Sequence, residues 1–143
     1  MKRKKARVVI DTNIWVSFLI GKVLSNLESF VVNDNIQILL SNELLEEIND
    51  VLHRPKFQGY FTTETIAELV SLMLGKFEVV EIKETFDICR DPKDNFMLDL
   101  CVSGKADYLV TGDADLLSLN PFRNTEIVDY NSFQQILNEI ISE

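Results

Sequence analysis

The chain has 143 residues, 46% hydrophobic and 26% charged, the composition of one folded domain with a real core rather than a disordered segment. Its formal net charge of −9 argues against nucleic-acid binding by bulk electrostatics, since phosphates favour basic surfaces. No apolar run approaches the roughly 18 residues of a membrane span, so no membrane partner is expected.

The charge is uneven. Lys2, Arg3, Lys4, Lys5 and Arg7 hold five of the 14 basic residues, leaving nine against 23 acidic ones. Residues 1–6 read as a basic, flexible leader on a single domain spanning 1–143, and a solvated tail is the plain reading of such a run. The acidic body suits a cation or a basic protein partner better than unaided RNA affinity.

In chain order, Arg7-Val8-Val9-Ile10 is a β-branched run without alternation that breaks into Asp11-Thr12-Asn13, the pattern of a buried parallel strand. A helical region from about Thr12 to Val32 follows, interrupted near Gly21. Its start faintly resembles a secretory signal, but Asp11 and Asn13 interrupt it and no small-residue cleavage site follows. Ile36 to Leu40 is a second strand. Ser41 or Asn42 caps a helix to about His53, stopped by Pro55. Thr62 or Thr63 opens a helix through Leu74, closed by Gly75. Phe77 to Ile82 reads as a strand and Lys83 to Lys93 as an irregular loop. Asp94 starts a helix ending at Gly104, strand Tyr108 to Val110 follows, and Glu126 to Val128 precedes a final helix from Phe133 to Ile140. Such alternation predicts an α/β domain with a mostly parallel central sheet flanked by helices. Cys89 and Cys101 lack metal-ligand or redox spacing, which favours a reducing cytoplasm over a disulfide.

Three acidic groups stand where such a sheet would gather them. Asp11 and Asp113 each follow a strand, at the carboxyl ends where open parallel sheets bind ligands. Asp91 and Asp94 precede a helix. On the Ser41–His53 helix, Leu44, Leu45, Ile48, Val51 and Leu52 form one stripe, and Glu43, Glu46 and Asp50 project about 140–160° from its centre. Glu47 lies only about 100° away, at the rim where it can lean over the strand ends. Each acid also has a plain explanation: Glu47 as a solvated charge, Asp94 and Asp113 as helix caps, Asp91 as a turn opener, Asp115 as a surface residue. Asn13 and Thr111 offer neutral groups that could hold carboxylates in place, or serve as turn and cap residues.

Taken together, these stretches resemble the PIN-domain nucleases, and within them the VapC-like toxins of bacterial toxin–antitoxin pairs. The matching blocks are Val8-Val9-Ile10-Asp11-Thr12-Asn13-Ile14, Ser41 to Ile48 continuing through Arg54-Pro55-Lys56-Phe57, Cys89-Arg90-Asp91-Pro92-Lys93-Asp94-Asn95, and Ala106 to Asp113. The resemblance implies a PIN-like fold and a catalytic, metal-holding quartet of Asp11, Glu47, Asp94 and Asp113, which Asn13, Thr111 and Asp115 could support from their own positions in the chain. It implies cleavage of single-stranded RNA to 5′-phosphate and 3′-hydroxyl ends, a cognate antitoxin, and a homodimer.

The chemistry of the quartet agrees with that implication. Oxygen ligands alone favour Mg²⁺ or Mn²⁺ over zinc, and the only histidine, His53, sits at a helix end. Four nearby carboxylates cannot all ionise without cations, so some should titrate high. A bound divalent ion can activate water and stabilise the leaving alkoxide. Arg54, Lys56, Arg90, Lys93 and Lys105 are candidate phosphate contacts; Trp15 and Phe18 are core residues or base-stacking surfaces. Two other readings compete: an inactive PIN-fold module binding RNA or protein, and a phosphoacceptor domain using Asp11. The second lacks the further aspartate such nucleophiles carry.

Overall fold

Val8, Val9 and Ile10 are all fully buried, which explains why their run shows no alternation: β1 (Ala6–Ile10) is covered on both faces at the centre of the sheet. The computed structural model describes residues 5–20, 34–89 and 91–142, without the side chains of 93, 141 and 142. Residues 1–4 of the basic leader, and the second half of the helical region expected to run to Val32, lie outside the described residues.

Five strands form one parallel sheet: β2 (Ile36–Leu40), β3 (Glu78–Val79), β4 (Tyr108–Val110) and β5 (Glu126–Val128) join β1 in the order β3-β2-β1-β4-β5. The order reverses between β1 and β4, where Ile10 stands opposite Val110. A crevice must open beyond the carboxyl ends of these two strands, because their crossovers leave on opposite sides.

Six α-helices flank the sheet among the described residues: α1 (Thr12–Ile20), α2 (Asn42–Leu52), α3 (Thr63–Lys76), α4 (Asn95–Ser103), α5 (Ala114–Leu117) and α6 (Tyr130–Ser142). None is long and apolar enough to cross a membrane. The expected stripe of α2 is buried while Glu43, Glu46 and Asp50 are exposed and Glu47 is half-buried. The Ser41 hydroxyl accepts the Leu44 N–H at 3.1 Å, capping that helix.

Three boundaries differ from the sequence reading. Gly75 does not close α3, which runs on to Lys76 and ends where the Phe77 N–H reaches the Met73 carbonyl at 2.9 Å. The strand expected to reach Ile82 is only two residues long, because the chain beyond Val80 turns its N–H groups to α4. As expected, α4 ends at Gly104, but the left-handed residue there is Lys105, at φ 54°, with the Ala106 N–H on the Cys101 carbonyl at 2.8 Å. Gly104 is required for space instead, since a Cβ there would lie 2.9 Å from Leu39 Cδ1 and 3.0 Å from the Leu100 carbonyl. Finally, α6 starts at Tyr130, because the Asp129 carboxylate accepts the Ser132 N–H at 2.8 Å and caps an earlier turn.

Arg7 does not belong to a free basic leader. Its guanidinium pairs with Glu78 at 2.7 Å and donates from Nε to the Gly104 carbonyl at 2.7 Å, tying β1 to β3 and to the end of α4. Trp15 and Phe18 are core residues, Trp15 beside Phe77 and Phe18 edge-on to Tyr130. Both cysteines are free thiols.

Candidate active site

Asp11 leaves β1 with its N–H on the Val110 carbonyl at 2.9 Å, so the register of the two central strands delivers it to the crevice. Its carbonyl accepts the N–H groups of Ile14 and Trp15, making it the cap of α1 through the backbone and leaving the carboxylate for other partners. The buried Thr111 hydroxyl donates to Asp11 Oδ2 at 2.7 Å and accepts the Asp113 N–H at 3.1 Å. One hydroxyl from the end of β4 therefore sets both strand-end aspartates. Burial pushes the Asp11 carboxyl above its ordinary range; the Thr111 hydroxyl and the Thr12 N–H oppose this, and the charges of Glu47 and Asp113 add to it.

Glu47 comes from the rim of α2, as its angular position demands, and accepts a hydrogen bond from the Thr12 hydroxyl. That bond joins α1 to α2 across the crevice.

Asp94 and Asp113 stand at the N-termini of α4 and α5, and neither side chain caps its helix. Their carboxyl groups stand within reach of each other. Burial, then the hydrogen bond with Asp113 and the charges of Asp113, Asp91 and Asp11, push the Asp94 carboxyl up to about 7. Asp94 is thereby held toward its protonated form, since carboxylates crowded together cannot all ionise. Asp113 Oδ2 is closed off from solvent and has no hydrogen-bond partner.

Asp11, Glu47, Asp94 and Asp113 line a single cleft of about 490 Å³, together with Asp91. The lining also includes the apolar side chains of Ile14, Val51, Phe96 and Met97. Asn13, Ser17 and Arg54 stand at the rim, Arg54 being the one cation in this lining among the described residues. The anionic groups of the lining are all carboxylates, and the orphaned Asp113 Oδ2 offers a lone pair suited to a hard cation. Among the described residues, no three His, Cys, Asp or Glu side chains close on one point.

Other expected residues fall elsewhere. Asp115, two residues beyond Asp113 in the first turn of α5, is exposed and outside the cleft lining. Lys56 is also outside, its ammonium 5.0 Å from the Phe57 ring centre. Lys105 follows α4 at the opposite end of the sheet, in a separate hollow with Arg123 and Thr125. Arg90 and the Lys93 side chain lie outside the described residues. Sequence reasoning missed Thr12 and the lining roles of Asp91 and Phe96. Only the position of Thr12 beside Asp11, in the first turn of α1, could have suggested it.

A family model described as PIN domain matches residues 7–115. An uncharacterized protein of Methanocaldococcus jannaschii, MJ1680, is 31% identical over 126 residues, covering 83% of this chain and 78% of that protein. PAE2754 from Pyrobaculum aerophilum shares the fold with a TM-score of 0.60 at 14% identity, over 96% of this chain and 91% of that one. The T. brucei RRP44 PIN domain aligns with a TM-score of 0.49 at 14% identity, covering 96% and 84%.

Proposed function

The chain belongs to the PIN domain family, and from that premise we propose that it is a Mg²⁺- or Mn²⁺-dependent endoribonuclease acting on single-stranded RNA. We further infer the biological role of a toxin held in check by a cognate antitoxin, as in the VapC-like group that the sequence resembles. The observation that carries the enzymatic reading is the release of Asp94 and Asp113 from helix capping so that both face Asp11 and Glu47 across one cleft.

Asp11, Glu47, Asp94 and Asp113 would hold the metal. When bound, such an ion supplies Lewis-acid chemistry, lowering the pKa of water and neutralising phosphate charge. The protein's own groups do the rest. Thr111 fixes the direction of Asp11 and, through its N–H contact, the loop of Asp113. Thr12 holds Glu47 at the rim. Arg54 meets a backbone phosphate at the mouth, offsetting the repulsion that the acidic body imposes on RNA. Ile14, Val51, Phe96 and Met97 give the cleft an apolar part of its lining beside the acids.

The test is cleavage of an end-labelled single-stranded RNA by the purified protein in Mg²⁺, Mn²⁺ or excess chelator. Cleavage that needs the metal and is lost by at least about 100-fold in D11N and D94N, about 2.7 kcal/mol of transition-state stabilisation, supports the reading. Equal cleavage in chelator, or by either variant, overturns it. Growth arrest on expression in a bacterial host, absent for D94N, tests the toxin role separately.

A further inference from the structure

The segment from Val80 to Cys89 has no regular secondary structure of its own; it is strapped along α4. Three side chains on one face of that helix, spaced four residues apart, accept its backbone N–H groups. Ser103 Oγ takes Lys83 at 2.9 Å and Glu84 at 3.4 Å. Asp99 Oδ1 takes Phe86 at 2.7 Å. Asn95 Oδ1 takes Ile88 at 3.1 Å and Cys89 at 2.9 Å. Four helical residues rise about 6 Å, close to the span of two extended residues, so the two repeats match. The strap runs antiparallel to α4, and the turn joining them carries Asp91 and Asp94.

Asn95 stands at the neck of that hairpin. It is buried, and its amide oxygen joins the chain entering the turn to the residue leaving it, closing the loop at its base. Within the loop, the Asp94 N–H bonds to the Asp91 carbonyl at 3.0 Å. The Asp94 side chain makes no capping bond of its own, so its direction into the cleft depends on how this loop is held. We propose that Asn95 is a positioning residue of the cleft, clamping the neck of the Asp91–Asp94 turn so that Asp94 meets Asp113. Asp99 and Ser103 secure the strap away from that neck and serve stability alone. The inference rests on the reading of Asp94 as a metal-holding group.

Ser103 provides a matched control, since S103A and N95A each release two backbone N–H groups. The experiment measures Mn²⁺ binding by electron paramagnetic resonance, thermal stability, and amide hydrogen exchange for wild type, N95A, S103A and D94N. The expected result is similar loss of stability in N95A and S103A, with Mn²⁺ binding weakened about 10–100-fold in N95A alone. Exchange at Asp94 should accelerate in N95A and not in S103A, and the isosteric N95D, which keeps an acceptor, should restore it. In wild type, the Ile88, Cys89 and Asp94 amides should exchange as one unit, a measurement that needs no variant. Equal effects of N95A and S103A on Mn²⁺ and on Asp94 exchange, or independent exchange of those three amides, overturn the proposal. If wild type and D94N bind Mn²⁺ alike, the metal reading fails instead, and the exchange data still decide the role of Asn95.

Discussion

Asp94 and Asp113 bring their carboxyl groups against each other, although each begins a helix whose free N–H groups it could have capped. An aspartate at a helix N-terminus ordinarily gains about 1 kcal/mol by capping. Both residues forgo that gain and instead crowd a site that already holds Asp11 and Glu47. Crowding of this kind has a measurable pH signature.

The Asp94 carboxyl is raised from 3.8 to about 7, so the folded state binds its proton more tightly than the unfolded chain does. Its contribution to stability is fully present below the ordinary value and is lost as pH rises through about 7. In chelator, the melting temperature of the wild-type protein should therefore fall between pH 4 and 7 more steeply than that of D94N. Parallel curves for the two proteins would contradict this. Added Mn²⁺ should flatten the wild-type curve, because a cation replaces the proton on Asp94.

Thr111 is buried, and its hydroxyl serves Asp11 and the Asp113 N–H together. Thr111→Val keeps the shape and removes both bonds, leaving two buried polar groups unsatisfied at a cost of about 1–3 kcal/mol. Urea denaturation should show that loss, and cleavage should fall about 10–100-fold as the strand-end carboxylates lose their common anchor. Thr111→Ser keeps the hydroxyl and should retain activity. A valine variant as active as wild type would remove Thr111 from the site.

Arg54 lies at the cleft mouth, while Lys56 lies outside it over Phe57. R54A should raise KM for RNA with little change in kcat and reduce the salt slope of binding by about 1. K56A should leave both unchanged. Equal effects of the two substitutions would point to diffuse electrostatics rather than a rim contact.

Gly104 sits at φ −89°, a conformation open to any residue, yet a Cβ there would press on Leu39, Val80 and the Leu100 carbonyl. G104A should cost about 1–3 kcal/mol through overpacking. Because the site lies at the other end of the sheet, cleavage per folded molecule should not change. A neutral G104A in urea denaturation would show that α4 can shift away from the sheet.

Much of the architecture is legible without coordinates because burial imprints periodicity on a chain. The unbroken runs before Asp11 and Asp113 mark doubly covered strands, and the 3.6-residue stripe of α2 puts Glu47 alone among its acids at the rim. Periodicity describes one element at a time, however. It says nothing of Thr12 reaching Glu47, of Arg7 tying β1 to Glu78, or of Lys105 rather than Gly104 turning the end of α4. The sequence by itself determined which elements form and which acids stand at their ends. Only the β1–β4 register and the strapped turn before α4 decided that Asp11, Glu47, Asp94 and Asp113 face one cleft while Asp115 and Lys56 do not. The physical reason is that contacts between residues far apart in the chain depend on how whole elements pack, which no local pattern encodes.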